Sequence, residues 1–418
     1  MLHLLTIIGA RPQIIKAAAV SRAIADWNKQ KSLILAASEE EKSTIAPQDN
    51  QRPRIVSLKE HILHTGQHYD TNMSGTFFQE LGIPEPEYNL HVGSATHGVQ
   101  TAKMIEGIEQ VLQAGINTDN GDGARVDFDG VILYGDTNST LAGAVAASKM
   151  HVPVFHVEAG LRSFNMTMPE EVNRIVCDQL SNILFAPTET ALQNLKQEGI
   201  TCSPATFANG KQRKVILSGD VMFDNSMYFA GMAAEKNHIL ADLCLQHKQF
   251  VLATIHRDNN TDNKERLSAI FSALLRVAER RNQKIVLPLH PRTRKMLPQN
   301  LSASLYERVM LSPLLLLAEP AGFFDIIELE RHASLVMTDS GGVQKEAFFF
   351  ETPCVILRPE TEWVEITQAG AGILADADEE RIVRAADVLM DRKVHFPPLF
   401  GNGHAAEQII KEIINYLQ

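Results

Sequence analysis

A chain of 418 residues exceeds what one hydrophobic core usually serves, so two domains are expected, and an apolar content of 44% places it among folded globular proteins. Acidic side chains outnumber Lys and Arg by 50 to 39, which excludes a general affinity for nucleic acid or an anionic membrane surface. An acidic protein that binds a phosphorylated ligand must collect its cations locally, so Arg, Lys and His gathered around turns are the residues to follow.

Residues 2–8 are an apolar run with no basic segment ahead of it, and they pass into Gly9-Ala10-Arg11-Pro12 and a helical stretch over 13–26. Strand, tight turn and helix predict the opening of a doubly wound α/β domain, not a signal peptide. Residues 38–54 and 117–129 are polar, and both read as surface loops without chemistry. The strand theme returns at 131–134 before Gly135-Asp136-Thr137, at 152–157 before Glu158-Ala159-Gly160, and at 182–185 before Ala186-Pro187-Thr188.

The second half repeats it. Residues 215–217 precede Ser218-Gly219-Asp220, 250–255 precede His256-Arg257, 284–289 precede His290-Pro291, and 334–337 precede Thr338-Asp339-Ser340-Gly341-Gly342. Continuous apolar strands alternating with helices imply parallel sheets covered on both faces. The expected fold is therefore α/β, two Rossmann-like domains with a cleft between them. The first covers 1–190 and the second 191–402, with a C-terminal helix over about 403–418 returning to the first. The cysteines Cys177, Cys202, Cys244 and Cys354 show no CxxC spacing and read as thiols of a reducing, cytoplasmic compartment. No stretch approaches the roughly 20 apolar residues that span a bilayer, so a membrane is not an expected partner.

Ligands of parallel α/β sheets bind beyond the carboxyl ends of the strands. The polar residues found there are Arg11, Lys16, Asp136, Glu158 and Arg162 in the first half, and His256, Arg257, His290, Ser340 and Gly341 in the second. Asp136 and Glu158 each end an apolar strand, where a charge is costly unless partnered or employed. Glu170 and Glu171 follow Pro169 at a helix start, where the dipole favours carboxylates in any case. The turn Ser340-Gly341-Gly342 opens a helix whose free N–H groups suit a phosphate, and Glu346 lies one turn on, within reach of ribose hydroxyls. No Walker A, GxSxG or HExxH pattern is present, and the only GxGxxA, at Gly401, follows no strand.

These segments, in this order, resemble the non-hydrolysing UDP-N-acetylglucosamine 2-epimerases, whose two-domain fold is shared with GT-B glycosyltransferases. The matching segments run from Gly9-Ala10-Arg11-Pro12 through Gly66-Gln67-His68, Gly135-Asp136-Thr137, His156-Val157-Glu158-Ala159-Gly160-Leu161-Arg162 and Pro169-Glu170-Glu171-Val172-Asn173-Arg174. They continue through His256-Arg257, His290-Pro291 and Asp339-Ser340-Gly341-Gly342 to Thr361-Glu362. The resemblance implies C2 inversion of a UDP-linked 2-acetamido sugar, with UDP eliminated to a glycal and re-added. It makes Asp136, Glu158 and Glu170 the catalytic carboxylates and sets His256 at the diphosphate. Arg11, Lys16, His290, Ser340, Gly341 and Gly342 would hold phosphates, Glu346 the ribose, and Arg257 is counted among the substrate-binding residues. It calls for no cofactor and no metal, and it implies a homodimer.

Residues 66–73 and 163–168, with Glu360-Thr361-Glu362-Trp363, look more like the branch acting on UDP-2,3-diacetamido-2,3-dideoxyglucuronate. That substrate needs a further cation for its carboxylate, for which Arg162 and Arg174 are the candidates. The competing readings are a GT-B glycosyltransferase using a UDP-sugar donor and a nucleotide-sugar-binding regulator without turnover. Inverting transfer needs one base and gives no reason for three carboxylates, and a regulator would be expected to lose at least one.

Overall fold

The computed structural model describes residues 1–41, 56–66, 78, 81–117, 125–201 and 207–418. The chain divides into two compact units, Met1–Asn225 with Leu399–Gln418, and Ser226–Pro398. The helix Ala405–Leu417 thus belongs to the first unit.

The strands of the first unit are β1 (Leu2–Ile8), β2 (Leu58–His64), β3 (Tyr88–Asn89), β4 (Ile116–Asn117), β5 (Arg125–Val126), β6 (Gly130–Tyr134), β7 (Val154–Val157), β8 (Ile183–Ala186) and β9 (Lys214–Leu217). Among the described residues, seven form one parallel sheet in the order β3-β2-β1-β6-β7-β8-β9. The expected boundary at 190 is corrected by β9. This run, assigned above to the second domain, hydrogen-bonds along β8 and so closes the first sheet.

The second unit carries β10 (Phe250–Thr254), β11 (Lys284–Pro288), β12 (Leu315–Ala318), β13 (Leu335–Thr338), β14 (Cys354–Ile356) and β15 (Gly372–Leu374). They form a parallel sheet in the order β12-β11-β10-β13-β14-β15, the doubly wound Rossmann arrangement. Both units are therefore Rossmann-like α/β domains, the class expected from the sequence.

Every residue of β6, β7, β8 and β10 is buried, as strands covered on both faces require. In the second unit the helices Lys264–Arg281 and Glu379–Asp391 cover one face through Phe271, Leu274, Ile382 and Leu389. Each such fully buried side chain contributes about 1.5–3 kcal/mol. Gly130 starts β6 because a Cβ there would stand 2.4 Å from the ring of Phe155 on the neighbouring strand.

Two loop expectations change. The first helix runs over Arg11–Glu41, well past 26 and into the stretch read as a loop. Within 117–129, β5 pairs antiparallel with β4. Among the described residues no helix is long and apolar enough to cross a membrane.

Candidate active site

In both sheets the strand order reverses once, and each reversal leaves a crevice at the carboxyl ends of two neighbouring strands. In the first unit those strands are β1 and β6, followed by Gly9-Ala10-Arg11 and Gly135-Asp136. In the second they are β10 and β13, followed by His256-Arg257 and Asp339-Ser340-Gly341.

The turn after β1 is held by Gln13, a buried residue the sequence reading passed over. Its side-chain oxygen accepts from Gly9 N (2.9 Å) and Ala10 N (3.2 Å), and its amide donates to Tyr134 O (2.9 Å) and Thr140 Oγ1 (3.0 Å). A Cβ on Gly9 would lie 2.1 Å from Ser139 Oγ and 2.2 Å from Thr65 Oγ1, so no larger residue fits. The helix that begins at Arg11 then carries Lys16 to Glu158, Nζ to Oε1 at 2.5 Å, with both side chains nearly buried. Glu158 has φ +70°, a left-handed conformation that costs a non-glycine residue of order 1–3 kcal/mol and clusters at functional sites.

Asp136 Oδ2 accepts from Arg174, and the Asp136 carbonyl accepts from Asn173 Nδ2 (2.9 Å). Burial pushes its carboxyl above the usual range, against the nearby Arg174 and Lys16 cations, while the negative Glu158 adds to the rise. A carboxyl raised in this way is better suited to take up and return a proton than an ordinary aspartate. Glu170 and Glu171, adjacent in sequence, part company in space. Glu170 is exposed in the first turn of Pro169–Leu180. Glu171 is buried and accepts from Ser163 N (2.9 Å), Phe164 N (2.9 Å), Ser163 Oγ (3.0 Å) and Arg174 Nη1 (2.9 Å). Burial alone would raise the Glu171 carboxyl, but these donors hold it below the usual range.

Both cations assigned above to the substrate are engaged within the fold. Arg162 is buried; Nε and Nη2 grip Glu198 at 2.6 and 2.7 Å, and Nη1 lies 2.8 Å from Asp178 and donates to Leu161 O. Its guanidinium is thus engaged by Glu198, Asp178 and the Leu161 carbonyl. Arg174 bridges Asp136 and Glu171, its positive charge beside the Asp136 carboxyl. The Arg162 pairing leaves no local mark in the sequence, because Asp178 and Glu198 lie 16 and 36 residues further along the chain.

In the second unit the hub is Asp339, fully buried at the end of β13. It accepts from His256 N at 3.1 Å, Arg257 N at 3.1 Å and Asn260 Nδ2 at 3.1 Å, and it faces His256 Nδ1 at 3.4 Å. His290 lies beside His256 with ring centroids 5.8 Å apart. Burial lowers its pKa, and the neighbouring His256 lowers it further, favouring a neutral ring. Ser340 caps Gly341–Phe349, its Oγ accepting from Val343 N at 3.4 Å. A Cβ on Gly341 would strike Glu362 Oε1 at 2.6 Å, and Glu362 is itself fixed by Arg358 at 2.9 Å. Arg257 is exposed and borders a cavity of about 120 Å³ shared with Arg266 and Arg358. Glu346 is half-buried one turn into the helix. Gln67 and His68 lie outside the described residues.

Fold and side chains define two Rossmann-like α/β units, the first with Asp136 and Glu158 at the carboxyl ends of its strands, the second with a glycine-rich helix start of the kind that suits an anion. A family model described as UDP-N-acetylglucosamine 2-epimerase matches residues 52–414, and the chain belongs to that family. It is 42% identical over 98% of its length, and 98% of the relative's, to a UDP-2,3-diacetamido-2,3-dideoxy-D-glucuronate 2-epimerase of Pseudomonas aeruginosa. It is 36% identical to the UDP-N-acetylglucosamine 2-epimerase of Methanocaldococcus jannaschii, covering 98% of both chains. A crystal structure of a Methanocaldococcus jannaschii UDP-GlcNAc 2-epimerase with UDP-GlcNAc and UDP matches with a TM-score of 0.75, covering 99% of this chain and 100% of that one.

Proposed function

We propose that the chain is a UDP-sugar 2-epimerase that inverts C2 of a UDP-linked 2-acetamido sugar by elimination and re-addition of UDP. The observation that carries this is the pair of carboxylates at the β6 and β7 ends, each joined to its own cation, Arg174 on Asp136 and Lys16 on Glu158. A C2 proton with no adjacent carbonyl is not removed as a free carbanion. As the proton leaves to a carboxylate, the C1–O bond breaks, UDP departs with the bonding pair, and C1=C2 forms. Return of UDP to C1 with a proton delivered to the opposite face of C2 completes the inversion.

Asp136, its carboxyl raised by burial, is assigned one of the proton transfers, and Glu158 and Glu170 serve the other face. His256, anchored through Nδ1 by Asp339, is assigned with Arg11, Arg257, His290 and the Ser340-Gly341-Gly342 helix start to the diphosphate. Glu346 is assigned to the ribose. The 42% identity to the diacetamido-glucuronate enzyme favours the uronate substrate over plain UDP-N-acetylglucosamine. A cytoplasmic homodimer completes the reading; gel filtration with light scattering tests its size.

Competing turnover of the two UDP-sugars, followed by proton NMR, tests the substrate. Faster epimerisation of the diacetamido-uronate is expected, and equal or faster use of the plain sugar contradicts it. Release of free UDP only when an acceptor is supplied would replace epimerisation by glycosyl transfer.

A further inference from the structure

Between the two catalytic turns of the first unit lies a histidine that the mechanism above does not use. His156 sits within β7 and is fully buried. Its Nδ1 is 2.7 Å from Asp178 Oδ1 and its Nε2 is 2.8 Å from the carbonyl oxygen of Gly135. Both neighbours are acceptors only. A neutral imidazole owns one N–H and would turn its other nitrogen, a lone pair, against an oxygen in a fully buried site. The doubly protonated ring satisfies both contacts.

Its charge is matched. Asp178 faces it from the helix Pro169–Leu180 and Arg162 lies 2.8 Å beyond on Asp178 Oδ2, itself held by Glu198, so two cations and two carboxylates alternate. Cys177 is the other titratable group facing the ring from that helix, and after β6 the ring meets the Gly135 carbonyl. Burial works against the charged ring, but Cys177 and Asp178 hold its pKa well above the usual histidine value.

The same network grips both turns. Gly135, one residue before Asp136, has φ +64° and its carbonyl is fixed by His156. Gly160, two residues after Glu158, donates its N–H to Asp178 Oδ2 at 3.1 Å. Gly135 N in turn donates to Val157 O at 3.0 Å. The spacing between the Asp136 and Glu158 turns therefore passes through one ring.

We propose that His156 is a positioning residue of the epimerisation: a buried imidazolium, donating from both ring nitrogens, that locks the Gly135 and Gly160 turns and so holds Asp136 and Glu158 in register. The proposal rests on the epimerase reading for its catalytic consequence and on geometry alone for the charge state.

Two measurements test it. In ¹⁵N-histidine-labelled protein both His156 ring nitrogens are expected to stay protonated from pH 6 to 9; a titration midpoint near the ordinary histidine value overturns the proposal, whatever the reaction. In His156→Gln, which can donate only through one uncharged amide, C2 exchange is expected to fall about 100-fold, the scale of a displaced catalytic group, with UDP affinity unchanged. Loss of the positive charge that faces the Gly135–Asp136 turn should also raise the Asp136 carboxyl and displace the pH–rate profile to the alkaline side, a readout a merely structural role would not move. Full exchange with an unmoved profile overturns positioning. Absence of exchange in the unsubstituted enzyme sinks the epimerase reading and leaves the ¹⁵N result standing.

Discussion

Arg174→Gln is the perturbation that separates the charge-setting role of Arg174 from a substrate contact. In the structure Arg174 touches Asp136 and Glu171, and Asp136 keeps Lys16 nearby when the guanidinium is gone. An aspartate beside an arginine is lowered by about 1–3 pKa units, so the substitution should raise Asp136 by that amount above its already raised position. At about 1.4 kcal/mol per unit this is about 1.4–4 kcal/mol of preference for the protonated form, and the low end is expected because the Asp136 side chain is a quarter exposed. In the direction where Asp136 accepts the proton, the ionised form does the work. The rising limb of kcat/KM against pH must then move to higher pH by about one unit or more, with the plateau recovered at alkaline pH. Glu171 keeps its Ser163 and Phe164 donors, so the fold should persist. The assay is initial-rate C2 exchange from pH 5 to 10. A uniform loss of rate with an unmoved limb would refute the reasoning and return Arg174 to the substrate.

The other predictions concern burial and the neighbouring glutamates. Glu330 is fully buried with neither carboxylate oxygen bonded, and burial, then the negative Glu346, push its pKa well above the usual value. A carboxyl raised in the folded state stabilises most below its unfolded pKa, and that contribution is lost as pH rises through the folded value. Glu330→Gln should therefore flatten the decline in Tm between pH 5 and 9, and parallel melting curves would contradict this. Glu170→Gln should slow C2 exchange by about 10²–10⁴ with Tm unchanged, as an exposed acid–base residue predicts. Glu171→Gln should instead lower stability by about 1–3 kcal/mol in urea titration, by leaving buried donors poorly matched. Equal effects of the two substitutions would mean that their different burial has no functional meaning.

The turns at the strand ends were legible because each follows an apolar run that can only be a covered strand, so Asp136, Glu158, His256 and Ser340 stand out there. Strand order was not legible, since pairing between distant segments leaves no local mark; hence β9 was assigned to the wrong sheet. β2 was missed for a different reason. Its sequence LKEHILH mixes charge with apolar residues because Glu60 and His61 turn inward to Thr6 and to Glu87. Arg162 and Arg174 lie in motifs that look substrate-facing, and only their partners Asp178, Glu198 and Glu171 redirect them. Asp178 carried a readable trace: it is a charged residue on the buried face of an amphipathic helix.

The central claim is proton exchange at C2 by the first unit's carboxylates. Proton NMR of the enzyme in D₂O with the UDP-2,3-diacetamido-uronate, and in parallel with UDP-N-acetylglucosamine, tests it most directly. The account predicts deuterium entering C2 as the manno isomer appears, with both lost in Asp136→Asn while UDP still binds. Binding of UDP with no exchange at C2 of either sugar would contradict it.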